Sequence, residues 1–257
     1  MKKKSALVLG ASSNQLFALG SFLVGLGDIM PNFTEDIIVF YDSITDAERR
    51  GFSHFKNLRL VQYDCPFRHV DGLSYFVKEH FTLMVYSKYE CFRLLDDYEC
   101  VIWMDYDAFV LNDISELLTP VDGGIRAIVT ERIADSLIEG ADFPNKNING
   151  IHSSVFALYD CLKGYSEIYD FCIENTPRLN SALRCPEQAV MSLALHEMGT
   201  SVYPLDFRLY SNPMKEHSVY EKYVKIYHTF GKEKFWCGID YLPWNICKER
   251  WDALCEM

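Results

Sequence analysis

The segment Val101-Ile-Trp-Met-Asp105-Tyr-Asp107-Ala-Phe-Val-Leu111 decides how the chain is read. An apolar run of strand length is broken by two carboxylates two positions apart. In extended backbone, positions i and i+2 point to the same side, so Asp105 and Asp107 address one point in space. Two carboxylates that close repel each other, and burying them unpaired is costly. A divalent cation removes both penalties, and hard oxygen ligands suit magnesium, calcium or manganese. The plainer use of such residues is helix capping. Asp113, with Glu116 three residues later, is better placed to cap Ile114–Leu118.

Outward from this segment, strand-like and helix-like runs alternate. Ala6–Leu9, Asp36–Tyr41, Leu58–Gln62 and Val101–Met104 read as strands. Between them Gln15–Leu26, Thr45–Phe55 and Tyr86–Leu95 read as helices, the first capped by Ser13 or Asn14. This rhythm predicts an α/β fold with a Rossmann-like, mostly parallel central sheet flanked by helices. Ligands in such sheets sit beyond the carboxyl ends of the strands, where both Ala11–Asn14 and Asp105–Asp107 fall. The second half is less regular. Gly123-Gly124 and Phe143–Gly150 mark loops, Ser154–Leu158 and Val224–His228 read as strands, and Tyr165–Glu174, Glu187–Met198 and Asn245–Cys255 as helices.

With 257 residues, 49% of them hydrophobic, the chain can build one large domain. A net charge of −11 argues against nucleic acid as a partner, though a metal and a few placed cations can still bind a diphosphate. Nine scattered cysteines without a C-x-x-C fit a reduced, cytoplasmic thiol set. The start reads as a first strand rather than a signal peptide, and no stretch approaches the roughly 20 apolar residues of a membrane span.

Three further segments carry candidate chemistry. In Tyr227-His228-Thr-Phe-Gly231-Lys-Glu-Lys234-Phe-Trp236, an imidazole would complete a manganese set with two carboxylates. Lys232 and Lys234 there are either diphosphate partners or ordinary solvated lysines. In Tyr86-Ser-Lys88-Tyr89-Glu-Cys-Phe-Arg93-Leu, Tyr89 and Arg93 share a helix face. An arginine amid apolar residues needs an anion, which is Asp96, Asp97 or the ligand. In Cys185-Pro-Glu187-Gln188, Glu187 opens a helix, favourable through the dipole alone, or touches a polar substrate.

The order of these motifs resembles family 8-type glycosyltransferases of the GT-A fold, the group of bacterial lipopolysaccharide galactosyl- and glucosyltransferases and glycogenin. The resemblance runs from about Ala6 to Trp236. Its elements are the turn Ala11-Ser12-Ser13-Asn14-Gln15, a Tyr-x-Arg-Leu-like segment at Phe92-Arg93-Leu94, and the Asp-x-Asp of Trp103–Asp107. Asp113-Ile-Ser-Glu-Leu117 follows. His152-Ser153-Ser154-Val155 stands for Asn-x-Gly-Val, Glu187-Gln188-Ala189 for Asp-Gln-Asp, and His228, Gly231, Lys234 and Trp236 for the closing His-x-x-Gly-x-x-Lys-Pro-Trp.

The resemblance implies one GT-A domain over 1–257. Residues 1–120 would be its nucleotide-binding half and 121–257 its acceptor-side half with a C-terminal helix. It implies Asp105, Asp107 and His228 as ligands of manganese, or alternatively magnesium. Ala11, Ser12 and Asn14 would line the nucleoside pocket, with Lys88, Asp105, Tyr106, His152 and Ser153 on the donor sugar nucleotide. Gly231 and Lys234 would contact the diphosphate, and Arg93, Glu187 and Gln188 would be catalytic. The reaction implied is transfer of a hexose, glucose or galactose, from a UDP-sugar to a glycan, glycolipid or glycoprotein acceptor with retention of configuration. Ser12 departs from the acidic residue that usually reads the base. Thr130–Asn149 is the expected acceptor-recognition segment. Trp236, Trp244 and Trp251 are read as core packing, with peripheral membrane contact as the other use. Two rival readings are a sugar-phosphate nucleotidyltransferase, which would need a glycine-rich phosphate loop after the first strand, and an inactive sugar-nucleotide or glycan-binding module.

Overall fold

The computed structural model describes residues 2–70, 73, 76–77, 81–213 and 221–257. Strands β1 (Lys3–Ala11), β2 (Asp36–Tyr41), β3 (Leu58–Gln62) and β4 (Tyr98–Met104) run parallel, β1 pairing with both β2 and β4. Beyond β4 the direction reverses. β7 (Gly150–Tyr159) is antiparallel to β4, β6 (Ile125–Thr130) is antiparallel to β7, and β8 (Tyr203–Leu205) closes the edge parallel to β6. The sheet order is β3-β2-β1-β4-β7-β6-β8. β6 and β8 go beyond the strands read from the sequence. A separate ribbon pairs β5 (Ala108–Val110) antiparallel with β9 (Ile226–His228), setting Ala108 opposite His228.

Alternation along β4 divides the core. Val101 and Trp103 pack on one face of the sheet, with Tyr86, Tyr89, Phe92, Ile168 and Val190. Ile102 and Met104 pack on the other with Leu19, Phe22, Trp244 and Trp251. The second face is covered by α1 (Leu16–Ile29), α2 (Asp46–Ser53) and, farther along the chain, the last helix, Leu242–Glu256. α1 is apolar on nearly every side because the sheet and the last helix enclose it. Trp251 lies so close to Gly20 that a Cβ there would meet its ring at 2.2 Å, and Gly51 flanks the same ring. Trp244 and Trp251 are therefore core, as read, and Trp236 stacks on Tyr106 and meets Phe17 edge-on.

Local chemistry sets the element ends. Thr45 and Glu48 form a capping box at α2. Asp113 accepts from Ser115 N at 2.7 Å, while Glu116 pairs with Lys225. Ser13 and Asn14 do not cap α1; a 3-10 turn, Ser13–Gln15, leads into it. The helix expected over Tyr86–Leu95 is instead a 3-10 stretch, Leu83–Tyr89, followed by the short α3 (Glu90–Leu94). Thr82 Oγ1 accepts from Met84 N at 3.3 Å and tightens that entry. Farther on, α4 (Tyr165–Leu179) and α5 (Pro186–Glu197) cover the first face, and α6 (Phe207–Tyr210) follows β8.

Candidate active site

β4 ends at Met104, and residues 105–107 form a turn into β5 rather than a continuation of the strand. Asp105 and Asp107 therefore do not meet through i, i+2 geometry in extended backbone. They meet because the turn folds back, Ala108 N donating to Asp105 O at 3.2 Å, and because the β5–β9 ribbon delivers His228 beside them. One ligand atom from each of Asp105, Asp107 and His228 lies within 4.8 Å of the others. His228 Nε2 is 3.1 Å from Asp107 Oδ1 and 3.7 Å from Asp105 Oδ2. Its other nitrogen, Nδ1, lies 2.9 Å from Ser211 Oγ. With Nδ1 engaged, Nε2 is the atom turned to the carboxylates, the arrangement a metal-ligating imidazole adopts. The donor set of two carboxylates and one imidazole suits a divalent cation, so the residues fit the implied metal.

The charges are finely opposed. Burial disfavours the Asp107 carboxylate, but His228 and Lys234 outweigh that and hold it below the usual carboxylate range. Lys234 Nζ donates to Asp107 Oδ2 and to Thr229 O. Asp105 is pushed upward, by burial first and by Asp107, against the opposing pull of Lys88 and His228.

Lys88 is the centre of a second, buried group. Its Nζ lies 3.0 Å from Asp105 Oδ1, 2.9 Å from Glu187 Oε1 and 3.2 Å from Ser153 Oγ, beneath the Trp103 ring. Burial alone would lower its pKa; Asp105 and Glu187 reverse that and keep it a cation. Ser153 Oγ donates to Glu187 Oε1 at 2.6 Å, and Ser153 N to Gln188 Oε1 at 3.1 Å. Gln188 Nε2 donates to Ser136 Oγ at 2.6 Å, so both ends of this amide are held. Glu187 Oε2 is buried with no hydrogen-bond partner, an acceptor left over inside a closed site.

A β-bulge aims these groups. Ala127 pairs with Phe156, but the next residue, Ile128, pairs with His152. Ser153 thus turns to Lys88 and Glu187, and His152 to the metal side, 5.9 Å from the His228 ring. His152 Nδ1 and Ser154 Oγ are 2.8 Å apart, and Ser154 Oγ donates to Ser211 Oγ at 3.3 Å, completing a chain to His228. Burial, then His228 and Lys88, push the His152 pKa down to about 3.

The fold thus gathers Lys88, Asp105, Asp107, His152, Ser153, Glu187, Gln188, His228 and Lys234. Ala11 ends the neighbouring parallel strand β1 and Ser12 follows it, the Ser12 hydroxyl lying 2.8 Å from Asn14 Oδ1. The adjoining Ser13 N donates to Asp42 Oδ1 at 2.8 Å, tying this turn to the end of β2. Tyr106 stacks on Trp236, and Gly231 turns the loop with φ +89. Arg93 does not join the site. Cys91, Phe92 and Leu95 supply the buried side of its helix, so Arg93 faces outward, paired with Glu90 at 3.6 Å and lying over Tyr169. Tyr89, expected on the same face, is fully buried. Lysine at 88, between Asp105 and Glu187, holds the place in which the Arg93 assignment sought a cation. Sequence reading missed Ser136, at the end of a 3-10 turn, and Ser211, after α6, small residues whose value lies in distant partners.

The Asp105–Asp107–His228 cluster, the mostly parallel sheet and the closing His–Lys loop agree with a family match. The sequence model of glycosyl transferase family 8 matches residues 6–158, well over half the chain, and the chain belongs to that family. It is a glycosyltransferase of the GT-A fold. Among solved structures, the galactosyltransferase LgtC in complex with donor and acceptor sugar analogues is similar at TM-score 0.69 and 15% identity, over 98% of this chain and 95% of that one. The WbbM bifunctional glycosyltransferase is similar at TM-score 0.70 and 14% identity, over 100% of this chain but 52% of its own. GlyE of Streptococcus pneumoniae TIGR4 is similar at 0.64 and 15%, over 99% of this chain and 62% of its own. At these identities the likeness is one of fold. A sequence comparison with curated proteins returned no match.

Proposed function

We propose that the protein moves a hexose, glucose or galactose, from a UDP-sugar to a hydroxyl of a glycan, glycolipid or glycoprotein, with retention, as a single GT-A domain. The observation that carries this is the convergence of Asp105, Asp107 and His228 beside Lys234 at the end of the central strand. Manganese is the proposed ion and magnesium the alternative; once bound, it supplies Lewis-acid neutralisation of the diphosphate charge. Lys234 is the cation available to the leaving diphosphate, and Gly231 gives its loop the left-handed turn it needs. Ala11, Ser12, Asn14 and Tyr106 are proposed to hold the nucleoside, and Lys88, Ser153 and Glu187 the donor sugar. The unpartnered Glu187 Oε2 accepts a sugar hydroxyl in this reading.

Retention by double displacement would need a free nucleophile at the anomeric carbon. The Gln188 amide is held at both ends, Glu187 Oε1 is engaged by Lys88 and Ser153, and Glu187 Oε2, the one unpartnered oxygen, is taken in this reading by a sugar hydroxyl. We therefore favour same-face substitution, in which Gln188 orients rather than attacks and the departing phosphate takes the acceptor proton. No helix among the described residues is long and apolar enough to cross a membrane. A cytoplasmic site of action, where sugar nucleotides are used, is part of the proposal. The test is release of nucleoside diphosphate from a panel of sugar nucleotides with and without manganese. UDP-glucose or UDP-galactose should turn over only with metal; no turnover and no metal-dependent binding of any donor would sink the reading.

A further inference from the structure

Beside the metal triad lies a group of rings that the donor chemistry does not use. Phe207 opens α6, held there by Asp206, whose Oδ1 accepts from Arg208 N at 2.9 Å. Phe230 sits in the loop after β9, two residues beyond His228. Their centroids are 6.2 Å apart, and the His152 ring lies 6.0 Å from Phe207 and 6.3 Å from Phe230. Phe230 is 5.5 Å from the His228 ring. Yet Phe207 is 36% exposed and Phe230 48%. A single exposed phenylalanine needs no explanation, but two in contact at the rim of a reaction centre form an apolar surface that binding would cover.

The topology says which reactant covers it. The nucleoside turn Ala11–Asn14 follows β1, on the β2–β3 side of the metal strand β4. Phe207 follows β8, the far edge of the sheet on the other side, and His152 lies on β7 between them. The rings therefore stand across the metal triad from the nucleoside end. Polar atoms accompany the rings in the way sugar sites require. His152 is fixed through Ser154, its Nδ1 2.8 Å from the Ser154 hydroxyl, a hydrogen-bonding group at the foot of an aromatic wall.

We propose that Phe207 and Phe230, with His152 at their foot, stack on the apolar face of a pyranose ring of the acceptor. The acceptor is then a saccharide whose terminal ring carries the attacking hydroxyl, rather than a peptide side chain or a lipid alcohol presented directly. The proposal rests on the glycosyl-transfer reading of the same site.

Saturation-transfer NMR with methyl α- and β-glucopyranosides and galactopyranosides tests it on the intact protein without donor. Manganese-dependent UDP-sugar hydrolysis is measured on the same preparations. At least one glycoside should bind the wild type with its signal concentrated on the protons of one ring face. In the Phe207→Leu/Phe230→Leu double variant, which keeps apolar bulk and removes both ring faces, its affinity should fall about tenfold or more. Phe230→Tyr alone should retain binding. Circular dichroism and thermal melting verify that the leucine variant folds. Donor hydrolysis by the wild type with equal glycoside signals in wild type and leucine variant overturns the platform and leaves the transferase reading standing. Glycoside binding lost in the leucine variant, without donor turnover in the wild type, keeps the platform and removes the transferase reading. No glycoside binding to the wild type overturns the platform. So does binding to anionic phospholipid vesicles that the leucine variant loses while its glycoside signals stay unchanged.

Discussion

On one side of β4, strands β1, β2 and β3 lie parallel with their ends in register. On the other, β7, β6 and β8 mix directions, carry a bulge and shorten to three residues at the edge. The regular side builds a frame from local signals, namely apolar runs, caps and crossovers. The irregular side supplies His152, Ser153, Glu187, Gln188, Ser211 and Phe207, of which Ser153, Glu187, Gln188 and Ser211 are held by partners far away in sequence. Regular pairing satisfies backbone groups efficiently but gives every side chain a standard direction. The bulge in β7 breaks that pattern and sends neighbouring residues to two different clusters, Ser153 to Lys88 and Glu187 and His152 toward His228. The two sides meet at the β4–β5 turn, where the metal triad forms.

Cutting the meeting point should have the largest effect. Asp107→Asn removes one proposed metal ligand and the anion that Lys234 and His228 share. Turnover should fall about a thousandfold, the several kcal/mol of charge stabilisation a bound cation supplies. Chelation of the wild type should match it, and added manganese should restore the wild type alone. A variant retaining a tenth of wild-type turnover would remove Asp107 from the ligand set.

Next in size is a test of the irregular side's buried charges. Lys88→Met strands Asp105 and Glu187 without their cation and should cost about 3–5 kcal/mol, read from the denaturant midpoint. Adding Glu187→Gln should recover part of the loss, the mark of direct coupling. The matching cut on the regular side, Lys3→Met, removes an exposed ion pair to Asp36 and should leave the midpoint almost unmoved. Equal losses from the two lysines would erase the contrast between the sides.

The same contrast governs what the sequence discloses. β2 and β3 match their expected bounds, and β4 extends its expected core, because short runs rich in apolar residues and bounded by breakers are a local signal. β8, Tyr203-Pro204-Leu205, contains a proline and only three residues, and β6 follows a glycine pair that reads as loop; pairing with neighbours, not propensity, makes them strands. Asp105, Asp107 and His228 were legible from residue type and order, although the turn, not extended backbone, brings the carboxylates together. Arg93 was mistaken for the site cation because the Tyr-x-Arg-Leu resemblance was laid on Phe92-Arg93-Leu94, where buried Cys91, Phe92 and Leu95 turn Arg93 outward. Ser211 and the Phe207–Phe230 contact leave no periodic trace, since each joins segments that only the fold brings together.

Ser211 tests whether the irregular side also supports the metal. Its hydroxyl joins His228 Nδ1 to Ser154 and through it to His152. Ser211→Ala should keep the fold and weaken manganese binding about 10- to 100-fold, measured by titration calorimetry. Unchanged affinity would show that the β5–β9 ribbon alone orients the imidazole.

The smallest effect belongs to the regular side. Asp36, at the start of β2, accepts from Lys3 Nζ at 2.6 Å and from Tyr98 Oη at 2.7 Å, joining the first residues of β1, β2 and β4. Lys3, then Tyr98, hold its carboxyl below the usual range despite some burial. The native state therefore binds fewer protons here than the unfolded chain. The stabilisation is complete above the unfolded pKa of about 3.9 and is lost as pH falls through the lower native value. Asp36→Asn should be slightly less stable than wild type at pH 7, with the gap closing on acidification and shrinking in high salt, because Lys3 is solvated. A gap that widens toward acid would mean that the carboxylate opposes the fold, and that the regular side, too, holds a charge for something other than stability.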